Sequence, residues 1–224
     1  MDRRRYNQFC ALATALDHVG DRWTLLVVRE LLPGPRRYSD MRQGLPGIAS
    51  NLLAARLHSL EADGVVARRR LPPPAASTVY ELTDIGHELE PALLALMRWG
   101  SRWMTRPADG AVIRVSWFAL ALKALLDPGD LSGIAAEVEL RTHDEVIHLR
   151  VSDGTIDVES SPVPDPDARI TADAATLFRL GSGTATVAAE VAAGHALVDG
   201  GPDAVHLLGR ILRFGPRPAP VETS

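Results

Sequence analysis

A four-residue turn, Gly44-Leu45-Pro46-Gly47, separates two segments of helical spacing, so the chain around it must fold as two helices joined at a tight angle. Ser39 and Asp40 open a short helix before the turn, about 38–44. After it, 49–63 carries Leu53, Leu57 and Leu60 on one face and ends at Asp63-Gly64. Residues 65–70 then read as a strand, 71–76 (with Pro72, Pro73 and Pro74) as a loop, and 77–82 as the returning strand. Upstream, Phe9, Leu12, Leu16 and Val19 predict a helix over 9–19. Asp21 is suited to cap a second helix over 22–32, which Pro33-Gly34-Pro35 stops. Thr83 and Asp84 cap a long helix reaching about residue 106, and Pro107-Ala108-Asp109-Gly110 breaks the chain.

That order is the layout of a winged helix-turn-helix domain followed by a dimerising helix. On 48–63 the face opposite the leucines carries Ser50, Asn51, Ala54, Ala55 and His58. Asn and Ser hydrogen-bond base edges, and Ala meets a thymine methyl. Arg56 lies beside the leucine stripe, which suits an ion pair or a phosphate more than a base. Arg68, Arg69 and Arg70 stand just before the Pro-rich hairpin tip, where guanidinium groups reach phosphates or a minor groove. Arg36 and Arg37, ahead of the first helix of the motif, suit phosphate too, and Arg3-Arg4-Arg5 suits a loose arm.

The segments GDRWTLLVVREL (20–31), RRYSDMRQGLPGIASNLLAARLHSLEADGVVARR (36–69), VYELTDIGHEL (79–89) and RWG (98–100), with Cys10, resemble the HxlR-type winged-helix regulators over about residues 6–104. The resemblance implies binding to double-stranded DNA as a homodimer, at near-palindromic sites near promoters. It does not fix the operator or the sign of regulation; repression is the expectation carried forward. The dimer has local support: Ile85, Leu89, Leu93, Leu96 and Trp103 form one apolar row on the long helix, which Leu94, Met97 and Trp99 widen.

Charge divides the 224 residues in two. Residues 1–106 hold 15 Arg against 11 acids, a surplus of +4; residues 107–224 carry −8. Only the first half suits nucleic acid. With 46% hydrophobic residues the chain has material for a core, which excludes wholesale disorder. It has no uncharged apolar run of about 18 residues to span a membrane. Its first residues lack the apolar stretch of a secretory signal, and its one cysteine excludes an intrachain disulfide. A cytoplasmic protein is the expectation.

The second half starts with an apolar helix at 116–126. Strands follow at 134–141, 145–151, 155–159 and 169–171, with a stiff loop at Pro162, Pro164 and Pro166 between the last two. Asp173 caps a helix to Leu180; further helices are expected at 184–192 and 203–214, with a strand at 196–198 between them. This reads as an α+β domain, an antiparallel sheet covered by helices. PDPDARITADAATLFRLGSGTATVAAEVAAGHALVDGGPDAVHLLGRIL resembles a sterol-carrier-protein-like domain over about 111–214. That implies an apolar small-molecule effector, with Trp117, Phe118, Leu122, Phe178, Leu207, Ile211 and Phe214 as candidates for its lining, although apolar residues at helical spacing are more often plain core. The expected domains are therefore 1–106 and 111–214, with a disordered tail at 215–224.

No constellation supports an enzyme, a metal or a cofactor. Gly181-Ser182-Gly183 lacks the Lys-Ser/Thr of a phosphate loop and reads as a turn, and His143-Asp144-Glu145 reads as a solvated hairpin tip. Two alternatives to a DNA-binding regulator stay open: a carrier of lipids or apolar metabolites, and a thiol sensor of oxidants or reactive carbonyls through Cys10. The sensor needs an accessible thiolate, whereas a lone cysteine on an apolar helix is more often buried and inert.

Overall fold

The computed structural model describes residues 5–73, 76–104 and 111–215, and the chain divides into two compact units between Leu93 and Leu94. The expected tail from 216 on, the break at 107–110, the prolines' continuation at 74–75 and Arg3-Arg4 lie outside the described residues. Among the described residues no helix is long and apolar enough to cross a membrane.

The first unit runs α1 (Ala11–Val19), α2 (Thr24–Leu31), β1 (Arg36–Arg37), α3 (Tyr38–Gly44), α4 (Ser50–Ala62), β2 (Val66–Arg70), β3 (Thr78–Leu82), α5 (Asp84–His87) and the start of α6 (Glu90–Gly100). Its core gathers Val27, Val28, Leu31, Met41, Leu45 and, from α4, Leu53, Leu57 and Leu60. Three details depart from the sequence reading. Asp21 does not cap the second helix: its carboxylate goes to Arg56, and α2 begins two residues later behind Trp23, whose φ of +80° is a left-handed conformation that a large side chain rarely adopts. Arg36 and Arg37 form a strand, pairing with Tyr80 and Val79, so the hairpin becomes a three-stranded antiparallel sheet of order β1-β3-β2. The long helix is interrupted at Glu88-Leu89. Pro91 explains the break, because it has no N–H for the His87 carbonyl and its ring would clash there; at the first turn of a new helix it is tolerated.

The second unit continues α6 into a short 3-10 turn (Ser101–Trp103), then α7 (Val115–Leu125), β4 (Ala136–Arg141), β5 (Val146–Ser152), β6 (Thr155–Glu159), β7 (Ala168–Ala172), α8 (Ala174–Gly181), α9 (Val187–Ala192), β8 (Ala196–Gly200) and α10 (Ala204–Ile211). Asp173 caps α8 as expected, accepting from the Thr176 amide at 2.6 Å. The sheet has order β6-β5-β4-β7-β8 and is mixed, correcting the antiparallel expectation: β7 lies parallel to β4. The meander β4-β5-β6 leaves the chain at one edge, and residues 160–167 carry it back past β5 and β4. Eight residues reach about 26–29 Å when extended, which suffices without a crossover helix.

Alternation sorts the two faces of this sheet. Val138, Leu140, Ile147, Leu149, Val151, Ile156 and Ile170 form its buried apolar side, and α7 and α10 lie on the sheet. Glu137, Glu139, His148, Arg150 and Arg169 take the other side. The 160–167 loop crosses there, since the Val163 amide donates to Glu139 at 3.2 Å. Glu139 is fully buried and accepts from Arg169 at 2.6 Å and Arg141 at 2.8 Å. Burial pushes its carboxyl up, but those donors outweigh it and hold the group below the usual carboxylate range. The 143–145 tip is only partly solvated: His143 and Asp144 are exposed, but Glu145 turns inward to Arg114 at 2.6 Å and to Ser116 at the start of α7. A carboxylate there compensates the open amides and dipole of the helix.

Candidate nucleic-acid interface

In α4 the 3.6-residue repeat buries Leu53, Leu57 and Leu60 and turns Ser50, Asn51, Ala54 and His58 to solvent, with Ala55 half-buried. The side chains of Asn51 and His58 have no hydrogen bond or ion pair among the described residues, so their polar atoms are available to base edges. Ser50 is more constrained. Its hydroxyl lies 3.4 Å from Arg42 Nη1, and its carbonyl accepts from the Tyr38 hydroxyl at 2.7 Å, which ties the start of α4 to α3. The turn between these helices closes over a buried Glu30. A Cβ on Gly44 would lie 2.1 Å from the Glu30 carboxylate, so a larger residue there would displace that side chain.

Arg56 holds the other flank of α4. Its guanidinium pairs with Asp21 at 2.5 Å and donates to the Arg22 carbonyl at 3.2 Å. An ion pair is one of the two roles its phase suggested, the other being a phosphate contact. Arg22 in turn lies over the Trp23 ring, 5.5 Å from its centroid. The 20–23 loop therefore anchors α4, a role that spacing alone does not reveal.

On the hairpin, cross-strand register gives the three arginines different surroundings. Arg69 makes a two-pronged contact with Glu81, at 2.9 and 2.8 Å, that holds the Glu81 carboxyl below its usual range. Arg68 and Arg70 are exposed and have no such partner among the described residues. Arg37 is exposed, and its backbone N–H lies 3.4 Å from the Asp40 carboxylate. The structure thus presents Asn51, Ala54 and His58 on α4, and Arg37, Arg68 and Arg70 at the sheet, as open groups.

A model of the HxlR-like helix-turn-helix family matches residues 18–108. The uncharacterized HTH-type transcriptional regulator YvaP of Bacillus subtilis (strain 168) is 37% identical over 90 residues, which are 40% of this chain and 83% of YvaP. The regulator sll1512 of Synechocystis sp., described in the same words, is 35% identical over 95 residues, 42% of this chain and 70% of its own. The chain belongs to the HxlR-like helix-turn-helix family. It is a transcriptional regulator of this type. The reduced form of the transcriptional regulator YodB from B. subtilis aligns with 42% of the chain and 94% of its own at 29% identity, with a TM-score of 0.38.

In the stretch Tyr80-Glu81-Leu82-Thr83-Asp84-Ile85-Gly86, the Thr83 hydroxyl donates to the Gly64 carbonyl at 2.6 Å and accepts from the Gly86 amide at 3.2 Å. A Cβ on Gly86 would stand 2.2 Å from the Val65 carbonyl oxygen. In this HxlR-like unit, α5 thus docks on the hairpin with no room for a side chain.

The family match ends at residue 108, before the C-terminal sheet. There the candidate ligand residues Phe118, Leu122, Ile211 and Phe214 are buried, and Trp117, Phe178 and Leu207 are half-buried. The ring of Phe214 packs against Phe118 at 5.5 Å and Phe178 at 6.3 Å, and a Cβ on Gly181 would press into both Phe118 and Phe214. These rings form packed core. A cavity of about 200 Å³ lies elsewhere, among α8, the start of α9 and α10, and none of the seven candidates lines it.

Cys10 is a free, exposed thiol just before α1, against the expectation for a lone cysteine on an apolar helix. Around it Tyr6, Phe9, Leu12 and Leu16 are also exposed, as are Ile85, Leu96, Trp99 and Trp103.

Proposed function

We propose that this regulator binds double-stranded DNA sequence-specifically as a homodimer and represses transcription, with a C-terminal sterol-carrier-protein-like unit that takes a small effector. The observation that carries the DNA reading is the outward face of α4: Asn51 and His58 are exposed with unengaged polar atoms, while its opposite face is fully buried. Asn51, Ala54, Ala55 and His58 read bases, with Ser50 beside them, and Arg37, Arg68 and Arg70 contact phosphates. Arg69 and Arg56 serve the fold first. The exposed apolar residues at 6–16 and 85–103 support a second copy as partner, because several large apolar side chains in water mark an interface. A cytoplasmic, non-enzymatic protein fits this reading.

A titration of the purified protein with its own upstream region and with an unrelated duplex, across salt concentrations, tests it. Binding about a thousandfold tighter to its own region, weakening steeply with salt, supports the proposal. Equal, weak binding to both favours the carrier reading. The exposure of Cys10 favours a second reading, thiol sensing. If that holds, oxidant releases the wild type from DNA and leaves Cys10→Ser bound.

A further inference from the structure

We propose that the cavity among α8, α9 and α10 is a binding site for a small carboxylic acid with a compact apolar body. This rests on the reading of the second unit as a ligand-binding unit and narrows its ligand class. Leu180, Val187, Leu208 and Leu212 give the space apolar walls. Its volume of about 200 Å³ falls below the range of drug-sized pockets and a little above the roughly 150 Å³ cavity that accepts benzene. One ring or a short branched chain fits; a sterol or a long acyl chain does not.

The polar edge of the site selects the charge. Arg213, just beyond α10, also lines the space, and its Nε lies 3.6 Å from where a Cβ on Gly183 would be. Arg213 is exposed and has no hydrogen bond or ion pair among the described residues, unlike Arg179 on α8 and Arg210 on α10, which are engaged by Glu190 and by the Asp130 carbonyl. Thr186 lines the site too; its hydroxyl accepts from the Ala189 amide at 3.2 Å and keeps its own proton to donate. The acid of α9, Glu190, is bound to Arg179 and His195. No lining residue is acidic, so a carboxylate meets a guanidinium fork and a hydroxyl with no opposing charge.

Gly209 borders the space and is exposed. It sits within α10, where glycine is a poor helix former, and a Cβ there would meet no atom within 4 Å. A larger side chain at 209 is therefore added at the edge of the cavity without a clash, and it suits the helix better.

Calorimetric titration of the full-length protein with benzoate and with benzyl alcohol tests the site without DNA. The expected result is saturable benzoate binding that Arg213→Gln weakens by at least about tenfold, with benzyl alcohol little changed. Gly209→Leu, checked for its fold by circular dichroism, should abolish binding of both probes. Absence of saturable benzoate binding, or benzoate binding indifferent to both substitutions, would overturn the site. Either result leaves the DNA titration untouched, so the two claims fail separately.

Discussion

The arginines at 68–70 are equal in sequence and unequal in the fold. Arg69 is neutralised by Glu81 across the hairpin, whereas Arg68 and Arg70 face solvent. Replacing Arg68 or Arg70 with Ala should weaken binding to all duplexes and lower the slope of log K against log salt by about 1 each. Arg69→Ala should leave that slope nearly unchanged. Glu81→Gln should do the opposite, because a released Arg69 becomes a further phosphate contact. Its affinity for an unrelated duplex should rise, and a fall in that affinity would refute the division of roles among the three.

The elements show where local pattern suffices. The turn at 44–47, the leucine repeat of α4, the alternation of β4, β5 and β6 and the Asp173 cap were all readable, because each is set by neighbours in sequence. What was not readable depends on distant partners. Two residues are too short a run to announce β1, which exists because β3 offers it an edge. The parallel placement of β7 follows from the path of 160–167, which no alternation encodes. Asp21 has the chemistry of a cap, but Arg56, 35 positions on, claims it. At the site, the outward face of α4 was legible from helical phase, while the engagement of Arg69 needed the hairpin register. Packing of α5 gives a direct check. Gly86→Ala forces a Cβ against the rigid Val65 carbonyl and should cost about 1–3 kcal/mol, read as a lower urea midpoint. A midpoint equal to the wild type would mean that α5 does not sit as described.

Over the whole molecule, exposed apolar residues and paired charges make separate predictions. Phe9→Glu with Leu12→Glu should shift a dimer toward monomer in sedimentation, since both side chains are exposed on the chain alone. Acid should loosen the second unit through Glu190. Its hydrogen bond and charge interaction with Arg179, joined by His195, outweigh burial and lower its carboxyl from 4.5 to about 2. A depressed carboxylate stabilises the fold fully above the unfolded value and loses that contribution as pH falls through the folded one. The urea midpoint of the second unit should therefore drop between about pH 4.5 and 2, and Glu190→Gln should flatten that drop.

The claim on which the rest depends is that α4 reads bases. It is tested most directly by the ratio of affinities for the upstream duplex and an unrelated one, measured for the wild type and for Asn51→Ala with His58→Ala at one salt concentration. The double substitution should collapse the ratio toward one while binding to the unrelated duplex stays as it was. An unchanged ratio, or an equal loss on both duplexes, would contradict it.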